Sequence, residues 1–493
     1  MLEHSIVLLI ITPLVGAYLI PLLGLWRERL SYPVAIAAVL LSAFFTFGLT
    51  GSVLTRGTIR YAVGGWPPPY GIELAADPLS AFMCLTISLI SLLAVIYSKS
   101  YIEKELPGGK TTSYYTLLLL LIGGMLGAVV TGDLFNLFVL TEIFSISAYA
   151  LVSIAERRGS FIASYRYLIL AAIGTSLILL GTGYLYIITG TLNMADLALR
   201  LPTLDDPWVV FGAIAFFVVG FGIKTALFPL HAWLPNAYAV APAPVSAIFS
   251  ALVAKVGAYS LIRVLFTIFG VQLITGPIPV AAALTWVAAA TILMGSLYAI
   301  SQTDIKKMLA YSSVANTGYV LLGAGLAVEL GMTGGILHIL NHALATGCLF
   351  FCAGAVLYKT GIHRIEDFRG LGSKMPLTMA AFTLAAVSQV GIPPTAGFVS
   401  KFYLSLGALE AGEWIFIIVI SLGSLMSALF YLRVIKLIYF GGDKLKEKAQ
   451  MDELPPGMII PIMILALGCV VLGIFVGLPL SMVESAVKLL LGM

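Results

Sequence analysis

Apolar runs of about twenty residues or more, separated by short clusters of charge, Pro and Gly, follow one another through nearly the whole chain. A helix needs about 20 apolar residues to cross a hydrocarbon core. Spans are expected at 5–25, 33–54, 77–98, 114–131, 134–154, 161–190, 208–239, 243–269, 278–300, 305–328, 332–358, 376–408, 413–440 and 457–479, fourteen in all. The shortest links fall at 132–133 and around Ala241-Pro242-Ala243-Pro244. One segment reads differently. Residues 56–75, TRGTIRYAVGGWPPPYGIEL, alternate around a Gly- and Pro-rich centre, which predicts a small extracytoplasmic β-hairpin. The predicted fold is all-α and polytopic, with fourteen transmembrane helices.

Composition sharpens this. Of 493 residues, 60% are hydrophobic and 10% charged, against roughly 25% charged in a soluble domain. A soluble enzyme and a single-anchor receptor are both excluded. The net charge of +4 comes from Lys and Arg scattered over short loops, which offers no face for nucleic acid. Cys84, Cys348, Cys352 and Cys469 all fall in apolar segments, so no disulfide framework is implied. The N-terminus runs directly into a full-length span and predicts a membrane helix, not a cleaved leader. No Gly-rich phosphate loop, iron–sulfur cysteine set or nucleotide fingerprint is present, so no cofactor is expected, and redox chemistry would belong to a partner.

An even number of spans puts both termini on one side of the membrane. On the face reached after the first span lie seventeen Lys and Arg, from Arg27 and Arg29 through Lys306 and Lys307 to Lys444, Lys446 and Lys448. The other face has Arg56, Arg60, Arg200 and Lys488. Cytoplasmic loops carry the excess of Lys and Arg, so a cell membrane protein with both termini extracytoplasmic is expected. The remaining six basic residues, Arg166, Lys224, Lys255, Arg263, Lys401 and Arg433, fall at or near membrane depth.

A charge at the centre of a membrane helix costs about 2.5–3.5 kcal/mol on insertion scales and marks an ion path or a paired internal site. Glu142 lies mid-span with no Lys or Arg in helical pairing range, so it needs a partner from another helix or a proton; a protonated acid making a structural hydrogen bond is the plain alternative. Asp133 reads as a cap. Lys224 sits just before Pro229, which lacks an N–H and should break its helix. Lys401 follows a second break at Pro393-Pro394, and paired interruptions in two halves point to an inverted-repeat transporter. Lys255 is mid-helix, where burial and water access can tune an ammonium to exchange protons. Arg263 cannot do this and is assigned an anchoring role. His338 and His342, at i and i+4, share a helical face and can link lysines; held by carbonyls they would be merely structural. A zinc site would need further ligands, and no metal is expected. His231, Asp304 and Thr346 are accessory candidates.

The motifs TGDLFNLFVLTE, GIKTALFPLHAWLPNAYAVAPAPVSA, SQTDIKKMLAYSSVANTGY and GIPPTAGFVSKF resemble the core of the antiporter-like subunits shared by Mrp-type cation/proton antiporters, respiratory complex I and membrane-bound hydrogenases. TGDLFNLFV resembles the Mrp D-type chain. The resemblance implies fourteen helices in two inverted five-helix repeats, helices 4–8 and 9–13, with helices 7 and 12 broken. That divides the chain into 1–113, 114–270, 278–440 and 441–493. It also implies proton-path roles for Glu142, Lys224, Lys255, His338, His342 and Lys401, and partners among the other membrane subunits of a multisubunit complex, with protons as cargo and Na⁺ as a second candidate. Many members carry a lysine where this chain has Thr346, so the central relay here must use the histidines and water, or be weaker. A solute symporter and a non-conducting scaffold subunit are the rival classes. The chain is not expected to be an enzyme on its own.

Overall fold

The structure, a computed structural model, describes residues 4–106, 110–203, 207–276, 279–441 and 453–493. Residue 278, the expected start of the ninth span, and Lys444, Lys446 and Lys448 lie outside the described residues. The chain is an all-α polytopic bundle. In order come α1 (Ser5–Gly24), α2 (Ser31–Arg56), α3 (Pro78–Glu105), α4 (Lys110–Val130), α5 (Leu134–Ser153) and α6 (Arg158–Thr189). Then follow α7a (Pro207–Thr225) and α7b (Leu234–Val240), α8 (Ala243–Thr275), α9 (Val280–Ile300), α10 (Ile305–Leu326) and α11 (Glu329–Thr360). Next are α12a (Pro376–Val390) and α12b (Ala396–Glu410), α13 (Ile415–Phe440) and α14 (Pro456–Ile474). Twelve helices among the described residues are long and apolar enough to cross a membrane. The other two expected passes are α10, diluted by Ser, Asn and Thr, and the interrupted α12.

One expectation needs correction. The last span ends at Ile474, and a separate helix, α15 (Gly477–Leu491), follows it. Gly477 and Pro479 read as a stop, yet Met482, Val483, Ala486, Val487 and Leu490 recur at helical spacing, and that face is buried against α3 and α11. Arg433 and Arg166, expected at or near membrane depth, are both exposed on the bundle, and Arg433 donates to the carbonyls of Ile300 and Gln302 at the end of α9. The expected hairpin is present as β1 (Ile59–Ala62) paired antiparallel with β2 (Glu73–Ala76), Ile59 opposite Ala76.

The core is deepest around α8 and α11. Every residue in the apolar window of α8 is buried, and 94% of that of α11, against 39% for α1. Polar groups on these two helices face protein, not lipid, which is where a membrane chain tolerates them. All four cysteines are buried and free.

The same device starts α5 and α10. Asp133 accepts from Asn136 N at 2.7 Å and its backbone bridges to Asn193, just after α6. Asp304 accepts from Lys307 N at 2.9 Å and bridges to Arg364, just after α11. Each is an N-cap that satisfies a free backbone donor. Five passes separate α5 from α10, so the two devices sit at opposite ends of the bundle. The Asp133 device adjoins the hairpin, since Gly132 N donates to Glu73 O at 2.8 Å.

Candidate functional site

The break in α7 exposes backbone beside Lys224. The helix stops at Thr225, and the loosened turn is held by Leu227 N donating to Gly222 O and Trp233 Nε1 donating to Ile223 O, each at 2.9 Å. Phe228 N donates to Thr291 Oγ1 of α9 at 3.1 Å. The Lys224 ammonium, buried, donates to Ser145 Oγ at 2.8 Å and stands 3.8 Å from Glu142 Oε1. Ser145 and Glu142 are three apart on α5 and therefore face the same neighbour. Among the described residues, the Glu142 oxygen nearest the lysine has no hydrogen-bond partner. The Glu142 side chain keeps 28% of its surface exposed, so only one side of the pair is sealed.

Lys255 is wholly buried. Just before it, Phe249–Val253 widens into a π-helical turn, which frees carbonyls from the helical ladder. Lys255 Nζ donates to one of them, Ser250 O, at 3.0 Å, and to Ser313 Oγ of α10 at 3.3 Å. Gly257 brings α8 against α7a: a Cβ there would lie 3.3 Å from that of Lys224. The Ser250 hydroxyl shares a 2.8 Å hydrogen bond with Thr346 of α11. Thr346 thus stands directly behind the acceptor of Lys255.

One turn before Thr346 on α11 is His342, buried, with neither ring nitrogen partnered among the described residues. Its ring centroid is 6.1 Å from that of His338. His338 is fixed on both sides, Nδ1 to Ser400 Oγ at 2.9 Å and Nε2 to Asn316 Oδ1 at 3.0 Å. Asn316 Oδ1 can only accept, so Nε2 carries a proton. Beside Ser400, Lys401 Nζ donates to Gln389 O at 2.8 Å, Val390 O at 3.1 Å and Ser424 Oγ at 3.1 Å. Those two carbonyls end α12a, where the helix dipole favours a cation. The ammonium also lies 4.7 Å from the centre of the Tyr319 ring, which packs on His338.

The six expected residues therefore lie on α5, α7a, α8, α11 and α12b, and Ser145, Ser250, Ser313, Asn316 and Ser400 are hydrogen-bond partners of Lys224, Lys255 and His338. Pro229, Pro393 and Pro394 all fall in the two breaks. Of the accessory candidates, Thr346 joins this row. His231 sits in the α7 break among Phe228, Tyr298 and Tyr311. Asp304 caps α10 and is apart from the row. Arg263 is paired with Asp77, which begins α3, through two hydrogen bonds of 2.6 and 2.7 Å. Sequence reading missed Lys306, which it counted with the loop charges. Lys306 is buried, and its ammonium donates to Ala241 O at the link between α7b and α8. The signal was there: Leu309, Ala310 and Ser313 follow it at helical spacing on the buried face. Among the described residues, no three His, Cys, Asp or Glu side chains are grouped to hold a metal.

Comparison with known proteins places this bundle, with its two broken helices, in a family. Residues 131–427, which hold every path residue, match the family described as "NADH:quinone oxidoreductase/Mrp antiporter, TM". The chain belongs to that family. Residues 69–108 match a second description, "NADH-Ubiquinone oxidoreductase (complex I), chain 5 N-terminus". Among curated relatives of this antiporter-like family, the N-type chain of the NADH-quinone oxidoreductase of Desulforudis audaxviator is 45% identical, covering 96% of each chain. The D-type chain of the Na(+)/H(+) antiporter of Bacillus subtilis is 32% identical, covering 86% of this chain and 85% of its own. Among solved structures, a chain of an archaeal membrane-bound sulfane sulfur reductase superposes with a TM-score of 0.92 at 32% identity, covering 99% of this chain and 98% of its own. A chain of the Mrp complex from Dietzia gives 0.89 at 26%, covering 99% and 97%. The resemblance to the Mrp D-type chain is therefore real but not exclusive, since identity to the N-type relative is higher.

Proposed function

We propose that this chain translocates protons within a multisubunit membrane complex, along Glu142, Lys224, Lys255, His342, His338 and Lys401. The observation that carries the reading is the buried row itself: three lysines and His338, each hydrogen-bonded to hydroxyls, amides or freed carbonyls, with the unpartnered His342 beside His338, between one broken helix and the other. A lone structural lysine would not recur three times in register with freed backbone, and ionisable groups inside a membrane bundle line ion and proton routes.

The opening and closing of the Glu142–Lys224 pair is the switching step. Closed, the carboxylate holds the ammonium charged. Opened, Lys224 loses that support and passes a proton through water towards Lys255. From Lys255 the route crosses to α11 beside the Ser250–Thr346 hydroxyl pair, runs over the two imidazoles and reaches Lys401. Lysines repel Na⁺, and the row lacks the oxygen cage that a hard cation needs, so this row suits protons and not Na⁺.

The hairpin end faces outwards, both termini included, as the Lys and Arg count argues. The chain divides into helices α1–α3 (1–113), a first repeat (114–270), a second, inverted repeat (278–440) and the C-terminal part (441–493). The matching caps at Asp133 and Asp304 support that division. The parent assembly is an Mrp-type Na⁺/H⁺ antiporter or a quinone- or hydrogenase-linked pump. The TGDLFNLFV motif favours the first and the 45% identity to an N-type chain favours the quinone-linked reading; the proteins that co-purify with the chain decide between them.

The test is Lys224→Ala in the assembled complex, with proton translocation followed in membrane vesicles. Translocation should fall at least tenfold. Undiminished translocation sinks the path, and if Lys255→Ala and Lys401→Ala are silent too, the chain is a scaffold.

A further inference from the structure

Lys255, Tyr259 and Arg263 follow one another at four-residue intervals on α8 and so form one stripe running towards the hairpin end. Eight residues of helix separate the lysine from the arginine, roughly 12 Å. At the hairpin end lies a cavity of about 250 Å³, lined by Arg60, Glu73, Asp77, Thr131, Arg263 and Thr267 among others. Charged and hydroxyl groups form part of its wall, and it is large enough to hold several waters. Its inner wall is the Arg263 guanidinium. Beyond the two bonds to Asp77, Arg263 donates to Ser80 Oγ at 3.0 Å and to Tyr259 OH at 3.0 and 3.1 Å. The Tyr259 hydroxyl donates in turn to Val129 O.

We propose that Arg263, clamped by Asp77, is an electrostatic barrier that shuts the Lys255 site off from the water of the hairpin-end cavity. Three features act together. A guanidinium does not give up its proton, so it cannot relay one. Its fixed positive charge repels an incoming proton in a confined polar passage, as arginine does in other pores. The Tyr259 hydroxyl, the only titratable group between Arg263 and Lys255 on this stripe, has its proton committed to a backbone carbonyl. The barrier has a purpose only beside a lysine that exchanges protons, so the inference rests on the proton path proposed above. A Lys255 open to the hairpin-end water would let protons run back down their gradient. Closed there, the site must pass its proton sideways to α11. Arg263 is a barrier residue and takes no part in transfer along the row.

The experiment uses membrane vesicles carrying the assembled complex, with no driving reaction. A pH gradient is imposed and its decay followed with a pH-sensitive dye. Arg263→Met should speed the decay at least threefold. Asp77→Asn with Arg263→Met, which leaves no unpaired buried carboxylate, should leak as fast. Arg263→Lys keeps the charge but loses the two-pronged clamp and should stay as tight as wild type; a purely structural clamp would make it behave like Arg263→Met. Adding Lys255→Met to Arg263→Met should stop the leak. The barrier is overturned if either charge-removing variant, shown to be assembled, is as tight as wild type. It is also overturned if Arg263→Lys leaks equally or if the leak survives Lys255→Met. Failure of the path itself would look different: Lys224→Ala would then translocate normally in the driven assay.

Discussion

Lys224 and Glu142 stand 3.8 Å apart, inside the range of electrostatic attraction and outside that of a hydrogen bond, while the ammonium gives its 2.8 Å hydrogen bond to Ser145. The lysine is thus shared between a charged and a neutral partner on the same helix. In Ser145→Ala the neutral partner is gone and the ammonium moves onto Glu142. Proton translocation should slow severalfold, and its pH profile should shift to higher pH, because a more tightly paired lysine holds its proton longer. An unchanged profile would show that Ser145 takes no part in the switch.

Thr346 holds the hydroxyl of the residue whose carbonyl receives Lys255. Thr346→Val leaves the Ser250 hydroxyl buried without this partner, a loss of about 1–3 kcal/mol. A lower unfolding temperature in detergent is expected, together with slower translocation. Thr346→Ser keeps the hydroxyl and should restore most of both. Thr346→Lys places an ionisable group beside Ser250 and should leave transport intact or faster if the relay passes this face.

Gly397, one residue into α12b, has its Cα so close to α12a that an added Cβ would lie 1.8 Å from Ser388 O, a backbone atom that cannot swing aside. Gly397→Ala should therefore force the two half-helices apart, at about 1–3 kcal/mol or more. Lys401, four residues on, would leave the carbonyls of Gln389 and Val390. Reduced thermal stability and reduced translocation should appear together; a stable, fully active Gly397→Ala would refute this account of the α12 break.

Asp77 supplies a prediction for acid. Burial pushes its carboxyl up, but the Arg263 guanidinium and the Ser80 hydrogen bonds pull it below the ordinary carboxylate value overall. A group whose value is lowered by folding stabilises above its unfolded value, and that contribution is lost as pH falls through the folded one. The α3–α8 clamp should therefore persist at neutral and mildly acidic pH and open only below the usual carboxylate range. Thermal unfolding across a pH series checks this. Asp77→Asn leaves the Arg263 charge uncompensated and should cost about 3–5 kcal/mol at neutral pH, and it should flatten the acid limb.

The row of charges was legible in the sequence because each member violates a strong local rule. A lysine, a glutamate or a proline inside a long apolar run is visible against its background without any coordinates. Lys306 escaped because it sits beside Lys307 at a helix start, where charge is ordinary, and only packing of α10 against the α7–α8 link shows that one of the two is buried. Arg433 shows the converse, since depth along a helix does not say which face a side chain takes, and its side chain is exposed on the bundle.

What the sequence determined by itself was therefore the order of the long apolar helices, the two breaks, the hairpin and the identity of the charged groups, all of which follow from periodicity, length and the chemistry of single residues. Which groups face one another was decided only by the tertiary structure. That Glu142 meets Lys224, that Ser250 ties Thr346 to Lys255, and that Asp77 clamps Arg263 are contacts across 82, 96 and 186 residues of chain. They depend on how whole helices pack, which no local pattern encodes.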